Sequence, residues 1–377
     1  MRSGRARTSR HRVSTGSASQ VQPVRNSGSV VTVPNPRRCT WSTGPVSDLV
    51  QLRGATFDAV IDVSTATPGI VHWGEPLVAD PDLDALVAAL ARPTVAGALG
   101  SVAPVGVVPL HADGFAGRPG LAGRRGGGRD WSPRFVPSGH RISDGVLTVD
   151  AVDDVAGLAI STQITVGDVL GVRATLTNVA DRRYSLDALT LSLPLPEGAD
   201  ELLRFEGRWA REFHPIRASW SDGAVVSEHL RGRTSHEHPP LLFAGRSGFG
   251  EWVGEVHGVH LAWSGNHTLL AERLADGRRY VQAGELLHPG EVVLEPGESY
   301  TTPQLLGVYS SGGLTPATWG FHRAARRSPA HPTSPRPVLL NTWEAVYFRH
   351  DHDTLLSLIH ISEPTRRATI SRMPSSA

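Results

Sequence analysis

Between residues 145 and 310, short alternations of apolar and polar residues recur, most of them closed by Gly, Asp or Asn. The stretch GVLTVDAVDDVAGLAISTQITVGDVLGVRATLTNVA (145–180) holds three or four of them. Period-two alternation puts every second side chain on one face, and the closing residues are those that reverse a chain. YSLDALTLSLPL (184–195) reads as one further strand stopped by its prolines. GVHLAWSG (258–265), RRYVQAG (278–284) and GEVVLEPGESYTTPQLLGVYS (290–310) continue the pattern, and ATFDAVIDVS (55–64) with GIVHWGEPL (69–77) extends it upstream. No helix of βαβ length interrupts these runs. They predict a mainly β fold, a large antiparallel β-supersandwich spanning 47–312.

The exceptions are few. DPDLDALVAALA (80–91) predicts one short helix, and GRPGLAGRRGGGRDW (117–131) an irregular loop. LTPATWGFHRAARR (314–327) predicts a longer helix, with Thr315 as cap, Pro316 in the first turn, and Arg326 and Arg327 at the negative end. Together with the proline-rich SPAHPTSPRP it forms a linking segment, 313–336. RPVLLNTWEAVYF (336–348) then reads as the first strand of a parallel barrel, with Asn341, Trp343 and Glu344 at the carboxyl end where such barrels place their sites.

Composition bounds the function. The 37 basic residues, all Arg, balance 36 acidic ones, so no nucleic-acid or membrane-surface partner is implied. No apolar run is long enough to span a bilayer. Residues 1–46 are Arg-, Ser- and Gly-rich without a signal-peptide core, which predicts a disordered or mis-called N-terminus and a cytoplasmic protein. The single cysteine, Cys39, excludes an internal disulfide framework. His236 and His238 have the spacing of two metal ligands on a strand but no third ligand nearby, so neither metal nor cofactor is expected.

The ordered set VHWG (71–74), GRPGL (117–121), GRWAREF (207–213), RGRTSHEHPP (231–240), GVHLAWSGNH (258–267), GELLHPGEVVLEPGESYTTPQ (284–304), WGFHRAAR (319–326) and NTWEA resembles the α-galactosidases (melibiases) of glycoside hydrolase family 36. The likeness covers roughly residues 50–356. It implies an N-terminal β-supersandwich, a central (β/α)8 barrel begun at 337–356, and retaining hydrolysis of terminal α-galactosides by two Asp residues of that barrel. No Lys-Trp-Asp strand end of the family's kind occurs in the sequence, so no catalytic residue is assigned. The resemblance makes Trp343 a substrate-binding residue, with Asn341, Glu344 and Trp73 supporting it or lining the pocket rim. It also implies α-galactoside oligosaccharides as partners and a homo-oligomer when the barrel is complete. From about Leu356 the chain is expected to carry a foreign tail, 357–377: three of its nine isoleucines lie at 359–370, and LSLIHISEPTRRATIS resembles translated adapter sequence. The alternatives are a non-catalytic carbohydrate-binding or oligomerisation sandwich, or a related α-N-acetylgalactosaminidase.

Overall fold

The structure, a computed structural model, describes residues 48–91, 102–335 and 341–358. Strands β1 (Leu49–Arg53), β2 (Asp58–Asp62) and β3 (Gly69–Gly74) form a three-stranded sheet. Helix α1 (Leu83–Leu90) follows, its first turn capped by Asp82, which accepts from the Ala85 amide at 2.9 Å. Then come β4 (Leu121–Arg124), β5 (Val136–Ser143), β6 (Val146–Asp153), β7 (Leu158–Val166) and β8 (Leu170–Asn178). Strands β9 (Tyr184–Leu189), β10 (Leu191–Leu195), β11 (Glu201–Arg208), β12 (Arg211–Ser219) and β13 (Gly223–His229) continue the chain. After β14 (Leu241–Gly245), β15 (Val256–Ala262), β16 (His267–Arg273) and β17 (Arg279–Glu285), the short β18 (Val292–Leu294) and β19 (Ser299–Thr301) precede β20 (Gln304–Ser310). Helix α2 (Leu314–Arg326) and the single turn α3 (Trp343–Val346) follow, and residues 352–358 are helical as well.

Nine strands of the largest sheet run in the order β12-β11-β14-β15-β20-β8-β7-β6-β5, and β19 pairs with β8. A four-stranded sheet, β10-β17-β16-β13, and a three-stranded one, β18-β9-β4, complete the sandwich. Every ladder between these strands is antiparallel, as the alternation demands. In β8, Leu170, Val172, Ala174 and Leu176 are buried at every second position, and Leu158, Ile160 and Ile164 of β7 do the same. Burying a side chain of that size contributes roughly 1.5–3 kcal/mol. Asp144 and Gly145, both at positive φ, join Ser143 to Val146 in a two-residue hairpin of the kind whose twist suits flanking strands. Gly307 on β20 lets the Trp73 ring come so close that a Cβ there would stand 2.8 Å from it.

Three expectations need correction, and a fourth falls partly outside the described residues. The Gly- and Arg-rich stretch 117–131 is not wholly a loop: it contains β4, which pairs with β9. The run 184–195 is two strands in two sheets, divided at Thr190, and Pro194 lies within β10, where an edge position tolerates its missing N–H. Helix α2 starts at Gly313, not at a Thr315 cap: Thr315 lies inside the helix and donates its hydroxyl to Glu251 at 3.0 Å. Of the expected barrel strand, 336–340 lie outside the described residues, and Trp343–Val346 form a helical turn in which Val346 is buried.

Helix α2 packs on β20 and β15 through Leu314, Ala317 and Gly320. Its C-terminal turn is tied down by Asp168, in the β7–β8 turn, which pairs with Arg323 at 2.6 Å and with Arg327. Phe321 meets Phe243 and His260 edge-on. The helix is thus an outer layer of the sandwich.

Candidate functional site

Asn341, Trp343 and Glu344 are brought together by one tight turn. The Asn341 side-chain oxygen accepts the Trp343 amide at 3.0 Å, and Glu344 accepts the Tyr347 hydroxyl at 3.3 Å. The Trp343 ring is 46% exposed and stands edge-on to Tyr347 and Phe348, at 5.5 and 5.1 Å. Such a ring can cover the C–H face of a sugar. Trp73 does not join this group. It is buried in the sandwich, donates its indole N–H to the Pro194 carbonyl at 2.6 Å and meets His257 edge-on at 4.7 Å.

His257 is buried beside it. Its Nε2 donates to the Trp73 carbonyl at 3.1 Å, and burial pushes its pKa down to about 4, so the ring is a neutral core member. His229 and His267, opposite one another on β13 and β16, stack at 5.7 Å. His229 Nδ1 accepts the Arg231 amide, so Nε2 carries the proton and donates to Ser235 at 2.8 Å. His267 Nε2 donates to the His238 carbonyl at 2.9 Å, and His236 and His238 belong to no metal-holding cluster among the described residues.

Sequence reasoning missed a second feature, a cleft of about 700 Å³ over β4 and β9. Trp131, exposed, forms one wall with His111 edge-on at 4.9 Å. Arg124 pairs with Asp187 on the neighbouring strand, and Glu285 accepts the Tyr300 hydroxyl at 2.7 Å. Burial first, then Glu285, holds the Tyr300 hydroxyl protonated well above its ordinary range. Those two carboxylates are already engaged, which leaves Glu228 as the single unengaged carboxyl among the described lining residues. The cleft can grip a polyhydroxyl ring between an aromatic wall and charged groups, but it is not built for displacement by paired free carboxyls. Its Trp131 and His111 lie twenty residues apart in sequence and carried no joint signal.

The glycosyl hydrolase family 36 N-terminal domain profile matches residues 66–295, and the melibiase profile matches 299–367, past Leu356. An α-galactosidase of Escherichia coli is 40% identical over 295 residues, which is 77% of this chain and 41% of that protein. The α-galactosidase AgaA of Geobacillus stearothermophilus is 29% identical over 228 residues, 58% of this chain and 31% of its own length. A crystal structure of a family 36 α-galactosidase from the same species, with 1-deoxygalactonojirimycin, superposes with a TM-score of 0.73 at 23% identity, covering 82% of this chain and 48% of that one. The α-galactosidase of Lactobacillus brevis gives 0.72 at 20% identity, covering 84% and 47%. The chain thus spans less than half the length of these relatives. With the fold, the ordered strands and the N-terminal profile all agreeing over most of the sandwich, the chain belongs to glycoside hydrolase family 36.

Proposed function

We propose that this chain is the N-terminal portion of an α-galactosidase that releases terminal, non-reducing α-D-galactose from oligosaccharides with retention. The observation that carries the reading is the 40% identity to the Escherichia coli α-galactosidase over 295 residues. Structures of the Geobacillus stearothermophilus relative hold stachyose and raffinose, which suggests the substrate class. Retention requires a nucleophile and an acid/base about 5–5.5 Å apart. In this reading both carboxyls belong to barrel strands that follow the family's N-terminal part, and the sandwich supplies neither. Trp343 lines the galactose pocket once that barrel surrounds it, while Asn341 and Glu344 hold the turn that presents it. The protein is cytoplasmic in this reading; no described helix is long and apolar enough to cross a membrane.

The test has two arms. The gene is resequenced past codon 356, and both its product and the 377-residue chain are assayed with a chromogenic α-galactoside. The reading predicts an in-frame barrel with a Lys-Trp-Asp strand end, turnover by its product, and none by the shorter chain. A gene that stops without a barrel, and a product that binds α-galactosides in the Trp131 cleft without turnover, would favour the non-catalytic carbohydrate-binding sandwich instead.

A further inference from the structure

Two loops on the surface of the sandwich gather four guanidinium groups around one hollow. It measures about 460 Å³ and is lined by Arg125, Gly126, Arg129, Arg182, Arg183 and Glu295. The four arginines are not equivalent. Arg125 is 4% exposed. It donates to the carbonyls of Ala156, Gly157 and Arg182 and to the side-chain oxygen of Asn178. Asp130 pairs with it at 3.1 Å, and its guanidinium lies 5.4 Å from the Tyr184 ring centre. Arg125 is therefore a peg that fixes the loop, with little left for a ligand.

The other three face outward and are poorly satisfied. Arg182 reaches only its exposed neighbour Asp181, at 3.7 Å. Arg129 and Arg183 have no ion-pair partner among the described residues. Counting Asp130, Asp181 and Glu295 against the four guanidiniums leaves one net positive charge on the hollow. Gathering unpaired like charges costs stability through repulsion, a cost that an anion between them would offset.

The backbone adds to this. Gly126, Gly127 and Gly128 connect Arg125 to Arg129, with φ of 74° at both Gly127 and Gly128. No heavy atom stands within 4 Å of a Cβ position on any of the three, so that side of the loop is open. The loop is nevertheless closed on itself: Gly128 donates to the Arg125 carbonyl at 3.1 Å, and Arg125 donates to the Arg129 carbonyl at 2.8 Å. A fixed glycine turn entering the left-handed region can present amides as an anion nest.

We propose that this hollow binds a phosphomonoester of monosaccharide size. Guanidinium forks match phosphate oxygens two at a time, so three available guanidiniums suit a tetrahedral dianion better than a single carboxylate. The volume exceeds that of phosphate alone and falls in the range of small-molecule sites. Glu295 stands where it can accept hydroxyl hydrogens from the rest of the ligand. The site is separate from Trp343 and independent of the hydrolase reading.

Isothermal titration calorimetry on the 377-residue chain at low ionic strength tests this with inorganic phosphate, glucose 6-phosphate and glucose. Saturable one-to-one binding of both phosphates is expected, with the sugar phosphate at least about threefold tighter and glucose silent. The exposed double variant Arg129→Gln/Arg183→Gln should weaken both by at least about tenfold, with an unchanged or higher melting temperature. Arg183→Gln alone should show a smaller loss, which keeps the test valid if the double variant folds poorly. Absence of saturation, an unaltered affinity in the variants, or displacement by chloride as effective as by sulfate at equal ionic strength would overturn the proposal. Equal affinity for the two phosphates would contradict the sugar-sized site and leave only a free-phosphate patch.

Discussion

Trp73 and Trp343 are both conspicuous in the sequence, yet the regions that hold them treat an indole in opposite ways. Trp73 is 5% exposed, with its N–H bonded across to β10 and its ring against Gly307 and His257. Trp343 is half exposed and touches Tyr347 and Phe348, which are themselves 52% and 86% exposed. The sandwich supports its aromatic residue with partners distant in sequence; the rings that meet Trp343 are those of near neighbours. A motif therefore marks a place in the family's order without saying whether its residue is held. Support has to come from elsewhere in the fold, and in the function proposed above the barrel would give it to Trp343.

The largest effect that can break this contrast is truncation of the supported ring. Trp73→Ala should lower unfolding free energy by about 3–5 kcal/mol, read from the urea midpoint, since it removes a packed ring and leaves the Pro194 carbonyl without its donor. A loss below about 1 kcal/mol would show that the pocket had collapsed around the gap or that Trp73 is not core.

Acid should act on the same region. The folded protein holds His257 neutral with a pKa near 4, against an ordinary value of 6.5. Between those values the unfolded chain binds a proton that the folded chain refuses, so stability falls as pH drops through 6.5 towards 4 and is fully present above 6.5. The contribution is roughly 3 kcal/mol, and burial lowers His229, His260 and His267 in the same direction. Urea midpoints measured from pH 7.5 to 4 check it, and His257→Gln should flatten the slope.

A smaller effect concerns the helix that lies between the two regions in sequence. Asp168→Asn removes the charge that holds Arg323 and Arg327 of the linking helix. Because both arginines are partly exposed, a loss of about 1–2 kcal/mol is expected, and it should shrink in high salt. The smallest belongs to the unsupported ring. Trp343→Ala should change stability by less than about 0.5 kcal/mol, and a larger loss would mean that the segment is held by the sandwich after all.

Much of this architecture was legible because alternation was strong where the ladders are long. The β6–β8 stretch shows its inward residues directly in the sequence. Legibility failed where the deciding contact is distant. At Leu189–Leu193 every residue is buried, so a switch between sheets at Thr190 leaves no trace in a period-two pattern. In β4 only Leu121 and Gly123 point inward, and the surrounding glycines and arginines conceal so short an alternation. The start of α2 at Gly313, with φ of 97°, follows from a close approach to the Gly250 carbonyl that no local rule contains. The candidate site was harder still. The strand pattern singled out the position of Trp343, but its sugar-binding role came only from family resemblance, whereas the Trp131 cleft and the Arg129–Arg183 hollow are assembled from separate loops.

Native-state hydrogen exchange tests the contrast most directly, because it reads both regions in one sample. Amides of β7 and β8, such as those of Ile160 and Leu176, should exchange only through global unfolding. Amides of 343–358 should exchange far faster than those of β7 and β8, since the turn at Trp343–Val346 and the helical residues 352–358 bury only one side chain, Val346. Protection across 343–358 that matches β7 and β8 would contradict the account, because it would mean the segment is folded as firmly as the sandwich.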